Sequence, residues 1–330
     1  MKGLAPIAIS MGDPAGIGPE IIAKSWEQRL DKGLPPFIYI GCTKALDALR
    51  EAPLYKVVSK VEDCINVFDN YLPVLNTPTL APIKLGSLNK KNSPNVINAI
   101  KLGVELSENA DCRALVTAPI HKAALYKAGF EYAGHTDFIA KLTGTPQDET
   151  IMMLASPYLK VVPVTVHLPI KDIPKVLTQK KIELAVRVVH FALIQKFGIN
   201  NPRLAISGLN PHAGEDGTLG EEEQTIIIPA IKSLQNDGID ATGPHSADVL
   251  FTGPIRNSYD VAICMYHDQA LVPLKTLDFQ NGVNITLGTP IVRTSPDHGT
   301  ALDIAGKEIA DPSSMIAAIK MADRMSNFNG

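Results

Sequence analysis

The chain has 330 residues, of which 45% are hydrophobic and 20% are charged, a composition that excludes intrinsic disorder and predicts a globular protein. Its formal net charge of -3 offers no broad cationic surface, so we expect no nucleic-acid partner. No apolar run approaches the roughly 20 residues that span a bilayer, and the four widely spaced cysteines favour a cytoplasmic location. Single cores rarely grow beyond roughly 250 to 300 residues, so we expect two lobes.

Short apolar, β-branched runs recur along the chain and predict buried strands. In chain order they cover residues 7–9, 37–40, 115–117, 161–166, 204–206, 261–265 and 283–287. A helix is expected after the first strand, because Pro19 suits a first helical turn. Between the fourth and fifth strands, apolar residues from Ile182 to Leu193 fall on one helical face. Alternating strands and helices predict an α/β fold.

The sequence contains no repeat and no evident linker, so the lobe boundaries are inferred from Pro- and Gly-rich connections. Candidates lie near residues 118–119 and 252–254. These connections predict two lobes. The terminal lobe covers residues 1–120 and 255–330, and the middle lobe covers residues 121–254.

Three of the eight histidines follow the ends of predicted strands, namely His167, His212 and His267. Ligands of open α/β sheets bind at the carboxyl ends of strands, so three imidazoles delivered there could converge on one metal ion. Nitrogen donors suit zinc, cobalt or nickel better than magnesium. The alternative is that these side chains hydrogen-bond to loops and bind nothing, and their spacing does not decide between the two.

A glycine-rich segment at residues 12–20 joins the first strand to the first helix, where a ligand could approach the backbone closely. It matches neither a Walker A loop nor G-x-G-x-x-G, and a purely structural tight turn remains an alternative. An anionic substrate could be bound by polar side chains that, taken singly, could also be solvated surface groups. They are His135, Thr136, Lys275, Asn284 and Arg293.

Long segments of the sequence resemble 4-hydroxythreonine-4-phosphate dehydrogenases, the NAD-dependent family of pyridoxal 5'-phosphate biosynthesis. The resemblance spans nearly the whole chain and is carried by MGDPAGIGPE at 11–20, TAPI at 117–120, GHTD at 134–137, GLNPHAGE at 208–215 and YHDQA at 266–270. The segment HGTALDIAGK at 298–307 resembles the nicotinamide-cofactor loop of isocitrate and isopropylmalate dehydrogenases. His245 departs from the family pattern and leaves the geometry of its loop open.

The resemblance implies an isocitrate/isopropylmalate dehydrogenase-like fold with an active-site cleft between the lobes. It also implies a homodimer with shared active sites, the dimer contacts lying in the middle lobe and the cofactor loop in the terminal lobe. One divalent ion per active site, zinc, cobalt or magnesium, would be bound by His167, His212 and His267. NAD or NADP would be bound by Gly12, Asp13, His298, Gly299, Thr300 and Asp303.

The implied reaction oxidises 4-phosphooxy-L-threonine to 2-amino-3-oxo-4-phosphooxybutanoate, which decarboxylates to 3-amino-2-oxopropyl phosphate. The substrate would be bound by His135, Thr136, Lys275, Asn284 and Arg293, and the candidate proton carriers are Asp248 and Lys275. Three alternatives remain open: a dehydrogenase of 4-phospho-threonate or 4-phospho-erythronate, a metal-dependent hydrolase, and a noncatalytic protein that binds phosphorylated metabolites.

Overall fold

A computed structural model of the protein describes residues 5–132 and 134–328. The strands are β1 Ile7–Ser10, β2 Phe37–Gly41, β3 Tyr55–Val57, β4 Leu72–Asn76, β5 Ala114–Thr117, β6 Ile151–Ala155, β7 Lys160–Thr165, β8 Leu204–Ser207, β9 Ala241–His245, β10 Val261–Tyr266, β11 Val283–Leu287 and β12 Arg293–Pro296. The helices are α1 Gly18–Glu27, α2 Arg29–Lys32, α3 Thr43–Asp47, α4 Asp63–Phe68, α5 Ser93–Glu108, α6 Lys122–Tyr126, α7 His135–Leu142, α8 Ile173–Val176, α9 Gln179–Phe197, α10 Ile228–Asn236, α11 Ala247–Leu250, α12 Gly253–Arg256, α13 His267–Leu277 and α14 Ser313–Asn327. This alternation confirms the α/β fold class.

Each of the seven predicted strands is present, with its ends shifted by at most one residue. The sequence did not indicate β3, β4, β6, β9 and β12. β9 contains Gly243 and Pro244, which weaken strand signals and suit a strand at the edge of a sheet. β12 is polar in sequence yet buried throughout, so hydrophobic patterning does not reveal it. In the described part of the chain, no helix combines the length and apolar character needed to cross a membrane.

The chain divides into two compact units, and the boundaries differ from those expected. Among the described residues, the first unit covers 5–145 and 289–327, and the second covers 146–288 with residue 328. The first unit extends beyond residue 120 because Leu125 of α6 and Phe138 of α7 join its hydrophobic core. The second unit extends beyond residue 254 because β10 pairs with β7 and β8.

The first unit contains a parallel sheet in the order β3-β4-β2-β1-β5-β12. Its central strands β1, β2 and β5 are fully buried. Helix α5 packs against β1, β2 and β5, and α14 packs against β12 and β5. Since parallel strands end at the same edge of a sheet, the glycine-rich segment after β1, the loop after β5 and the loop after β12 leave from one edge.

The second unit contains strands in the order β11-β6-β7-β10-β8-β9. β6 is antiparallel to both of its neighbours, whereas β7, β10, β8 and β9 run parallel to one another. The carboxyl ends of β7, β10 and β8 therefore lie side by side. His167, His267 and His212 follow these three ends.

Substitution of Gly12 by alanine is expected to lower the free energy of unfolding by about 3 kcal/mol or more. Gly12 has φ +73°, and a Cβ there would lie 2.3 Å from the carbonyl oxygen of Pro119. Gly33 is the matched control, because its φ is +59° but no atom lies within 4 Å of its added Cβ. Gly33→Ala is expected to cost about 1 kcal/mol. Urea denaturation measures both values, and equal losses would contradict the packing argument.

Candidate functional site

Two predicted cofactor segments contact each other in the first unit. The backbone nitrogen of Ile17 donates to the carbonyl oxygen of Thr300 at 3.0 Å, and a Cβ added to Gly16 would lie 3.0 Å from the Thr300 side chain. Asp13 is buried and its Oδ1 accepts a 3.0 Å hydrogen bond from the backbone nitrogen of Ala15. Burial raises the pKa of this carboxyl. The glycine-rich segment and the 298–307 loop thus form one structural element.

The glycines of the first segment are required by protein contacts. A Cβ on Gly12 would approach the Pro119 carbonyl oxygen, and one on Gly18 would lie 2.2 Å from the carbonyl oxygen of Met11. The proposed close approach of a ligand is therefore not needed to explain these glycines. Gly12 and Asp13 are both buried, and their assignment to cofactor binding stays a prediction.

The 298–307 loop has features that fit a bound ligand better. The Nδ1 atom of His298 lies 3.0 Å from the carbonyl oxygen of Gly299, while its Nε2 atom is buried without a hydrogen-bond partner among the described residues. Gly299 is exposed, with open space where a Cβ would stand. Thr300 is buried and Asp303 is exposed. A nicotinamide cofactor could supply the missing partner of His298.

A cluster of cationic and hydrogen-bonding groups lies in the same unit. Arg293 begins β12 and is only 2% exposed, and its Nη2 donates to Thr117 Oγ1 at 2.6 Å. Burial lowers the pKa of this guanidinium to about 9. His135 begins α7, followed by Thr136, and its Nε2 is buried without a partner among the described residues. Burial, Arg293 and Lys122 lower the pKa of His135 well below its usual value.

Protein stability is expected to fall as the pH falls below about 6.5, in part because of His135. Its native pKa is depressed, so the unfolded chain binds a proton at that ring more readily than the native protein. The neutral ring therefore makes its full contribution to stability above the unfolded-state pKa. This contribution is lost as the pH falls toward the native pKa. Urea midpoints of wild type and His135→Gln, measured from pH 5 to pH 8, should show a shallower slope for the variant. Equal slopes for the two proteins would contradict the role of His135 in this pH dependence.

In the second unit, His167 and His267 form a close pair at the ends of β7 and β10. Their ring centroids are 5.6 Å apart and the rings are inclined by 39°. Thr165 ties the strand ends together, because its Oγ1 donates to the carbonyl oxygen of Met265 at 2.7 Å. A cavity of about 120 Å³ is lined by both histidines, Thr165 and Tyr266. The φ of His167 is +52°, a strained value for a residue with a side chain.

Asp268 orients the His267 ring. His267 Nδ1 lies 2.7 Å from Asp268 Oδ1, and a carboxylate acceptor assigns the proton to Nδ1. The Nε2 of a neutral ring then carries the lone pair, the form in which histidine binds metals. The His267 side chain is 34% exposed and that of Asp268 is 73% exposed.

Gln269 joins the strand ends that precede His267 and His212. It is buried, and its Oε1 accepts from the Met265 backbone nitrogen at 2.7 Å and from Ser207 Oγ at 2.8 Å. Its Nε2 donates to the carbonyl oxygen of Gly208 at 2.8 Å. One side chain therefore fixes β10 relative to the segment leaving β8.

His212 lies in a turn that leaves β8, and it is exposed. A hydrogen bond from Ser246 is the main cause of a lowered Asp248 pKa, and the charge of His212 adds to this lowering. A general base works best with a pKa near the operating pH, so this shift disfavours Asp248 as the base. His245 ends β9, and its Nε2 lies 2.9 Å from Thr242 Oγ1.

The predicted metal site is only partly assembled. A separation of about 5 Å is what two imidazoles sharing a tetrahedral ion require, and the His167–His267 pair is close to it. Among the described residues, however, no group of three His, Cys, Asp or Glu side chains is arranged to hold a metal. His212 does not complete the pair within one chain. Lys275 on α13 and Asn284 on β11 also belong to this unit.

Sequence analysis did not identify three residues whose hydrogen bonds stabilise these loops, namely Asp268, Gln269 and Glu223. Asp268 and Gln269 lie inside the YHDQA segment, whose resemblance was noted but whose hydrogen bonds only the structure reveals. Glu223 belongs to no noted motif, and its contacts with the loop after β8 join positions more than ten residues apart in sequence.

Known proteins match the chain over nearly its full length. The family model for the pyridoxal phosphate biosynthetic protein PdxA matches residues 35–322. A 4-hydroxythreonine-4-phosphate dehydrogenase of Zymomonas mobilis is 47% identical over 97% of this chain and 95% of its own. One from Bradyrhizobium diazoefficiens is 47% identical, with 97% of each chain covered.

Solved structures agree with these matches. A 4-hydroxythreonine-4-phosphate dehydrogenase of Klebsiella pneumoniae has a TM-score of 0.87 and 35% identity, covering 98% of this chain and 99% of its own. A terephthalate 1,2-cis-dihydrodiol dehydrogenase of Burkholderia xenovorans has a TM-score of 0.66 and 27% identity, covering 96% and 97%. Fold and relatives define an α/β oxidoreductase. The chain belongs to the PdxA family of pyridoxal phosphate biosynthetic proteins, which confirms the resemblance noted in the sequence.

Proposed function

We propose that the protein oxidises 4-phosphooxy-L-threonine with NAD or NADP, in the biosynthesis of pyridoxal 5'-phosphate. The observation that carries this proposal is the buried cluster of Arg293 and His135, in the unit that also contains the His298 loop. A buried guanidinium whose charge acts on a buried imidazole, where the ring's Nε2 has no partner among the described residues, suits a phosphorylated or carboxylated substrate. Relatives named for this activity support the same substrate.

In the proposed complex, the side chains that bind and orient substrate are His135, Thr136, Lys275, Asn284 and Arg293. Arg293 supplies a fixed positive fork, because burial and its bond to Thr117 restrict the guanidinium. His135 is neutral at pH 7, so it can exchange a hydrogen bond with substrate without competing for the proton that leaves the hydroxyl. The cofactor would be bound by Gly12, Asp13, His298, Gly299, Thr300 and Asp303.

The reaction removes a hydride from the carbon that carries the hydroxyl and a proton from its oxygen. A bound nicotinamide would accept the hydride, and the oxidised substrate would be 2-amino-3-oxo-4-phosphooxybutanoate. The carboxylate is β to the new ketone, so the electron pair of the breaking C–C bond moves toward the ketone as carbon dioxide leaves. Protonation of the resulting enolate at carbon gives 3-amino-2-oxopropyl phosphate. Lys275 and Asp248 are the proposed proton carriers, with Asp248 disfavoured by its lowered pKa.

We also propose that His167, His212 and His267 together provide the ligands of one zinc, cobalt or magnesium ion. Such an ion would lower the pKa of the substrate hydroxyl and polarise the ketone. Because one chain does not group the three rings, the proposal includes a homodimer whose sites draw on both subunits. Exposed apolar residues near the histidine pair favour this dimer, since a solvated surface rarely collects them. They are Leu168 and Ile170, which line the same cavity as the two rings.

The second candidate is a dehydrogenase of 4-phospho-threonate or 4-phospho-erythronate. It is favoured by the Burkholderia xenovorans neighbour, which shows that dehydrogenases named for different substrates share this fold. Both candidates retain the phosphate, the hydroxyl and the cofactor. They differ at the substrate's amino position.

Parallel assays of the amino and hydroxy substrates, with NAD and with NADP, test the proposal through the absorbance of reduced nicotinamide. The proposal expects kcat/KM for 4-phosphooxy-L-threonine to exceed that for either hydroxy acid by at least about tenfold, because a site built to bind an amino group rejects analogues that lack it. A preference for either hydroxy acid would favour the second candidate. Absence of reduction with all three substrates would contradict both.

A further inference from the structure

The turn that carries His212 has an unusual backbone. Residues His212, Ala213, Gly214, Glu215 and Asp216 all have positive φ, in one continuous left-handed run. Glycine adopts this conformation without strain and aspartate tolerates it, so His212, Ala213 and Glu215 do not favour it. The turn must therefore be stabilised by contacts outside itself.

The buried carboxylate of Glu223 supplies those contacts. Glu223 is 2% exposed and begins a short π-helical segment, Glu223–Ile227. Its Oε1 accepts hydrogen bonds from the backbone nitrogens of Leu209 at 2.7 Å and Asn210 at 2.8 Å. Its Oε2 accepts from Asn210 Nδ2 at 2.9 Å. Three donors from the start of the turn thus converge on one side chain.

The same carboxylate lies against the glycines of the turn. A Cβ added to Gly214 would lie 2.6 Å from Glu223 Oε2, and one added to Gly208 would lie 3.1 Å from Oε1. The backbone therefore wraps around Glu223 on both sides of His212. Moving the carboxylate would release both the hydrogen bonds and the packing.

We propose that Glu223 is a positioning residue, which fixes the turn after β8 so that the His212 ring stands at one defined place. Its relevance to catalysis rests on the proposed function, which assigns His212 to the active site. Glu223 itself would touch neither substrate nor cofactor.

The ability of both Glu223 oxygens to accept hydrogen bonds matters as well as the shape of the side chain. Glutamine in its place could still accept from Leu209 and Asn210 with one oxygen. Its amide nitrogen would then face Asn210 Nδ2, and two donors cannot bond to each other. Asn210 cannot simply rotate its amide, because its Nδ2 also donates to Glu222 Oε2 at 2.8 Å. Glu223→Gln should therefore weaken the contacts that hold the turn, without leaving a cavity in place of the side chain.

A double-mutant cycle on turnover tests the proposal. Glu223→Ala is expected to lower kcat about 100-fold through misplacement of His212, and Glu223→Gln about tenfold. Glu222→Ala is the matched control, since Glu222 bonds only the Asn210 side chain of this turn, and we expect less than about a threefold change. Combined with His212→Ala, Glu223→Gln should cause no further loss. If the losses in kcat of the two single variants multiply in the double variant, the proposal is overturned.

A second readout is independent of activity. The ring-proton NMR signal of His212, assigned by its loss in His212→Ala, is expected to shift or broaden in Glu223→Gln while the signal of His190 on α9 stays unchanged. An unchanged His212 signal would overturn the proposal even if turnover fell. If wild type reduced no nicotinamide but the signal shifted, the proposed function would fail and the positioning role of Glu223 would stand.

Discussion

Replacing His267 by alanine is expected to lower turnover of 4-phosphooxy-L-threonine about a thousandfold, or about 4 kcal/mol of transition-state stabilisation. The ring is paired with His167 at 5.6 Å and is oriented by Asp268, so its loss removes a proposed ligand together with its fixed direction. Its side chain is 34% exposed, so the melting temperature should change little. Steady-state kinetics and a thermal melt measure the two effects.

His190→Ala is the control for the His267 prediction. His190 lies on α9, is half-buried and is not one of the proposed site residues. Its loss should leave kcat unchanged and lower stability modestly. Near wild-type turnover of His267→Ala in metal-free buffer would contradict the proposed role of the histidine pair.

Arg293→Ala is expected to lower kcat/KM for the phosphorylated substrate about a thousandfold, mainly through a higher KM. The guanidinium is 2% exposed, and its charge in a dry site interacts strongly with an anion. Arg293→Lys should recover only part of the loss, because an ammonium lacks the planar fork.

Arg113→Ala provides the matched control for Arg293. Arg113 precedes β5 and bonds the Ala5 carbonyl oxygen and the Asp323 carboxylate, which ties chain segments together within the first unit. We expect this variant to lose stability and to keep its KM. A similar rise in KM for both variants would show that Arg293 acts through stability alone.

The apolar strands were predictable because their patterning is local. β1, β2 and β5 read as buried runs and lie at the centre of the first unit's sheet. β12 was not predictable, since its burial is imposed by β5 and α14 and its first residue is a buried arginine. The unit boundaries depend on packing of α6 and α7, which no composition change marks.

The candidate site was also predictable from the sequence in one part and not in another. The rule that ligands gather at the carboxyl ends of parallel strands placed His167, His212 and His267 at three neighbouring strand ends. The rule does not say how each loop continues, and the left-handed turn depends on contacts with Glu223, which is more than ten residues away in sequence. Assembly of the three rings around one ion is a prediction that a single chain does not fulfil.

Elemental analysis of purified protein tests the central claim most directly. Wild-type protein is treated with a chelator and then dialysed against zinc or cobalt, and excess metal is removed. It should retain about one ion per chain, as expected for a site with three protein ligands. His167→Ala, His212→Ala and His267→Ala should each retain much less, and His190→Ala should match wild type. Wild type without a bound ion, or full retention in all three variants, would contradict a site shared by these histidines.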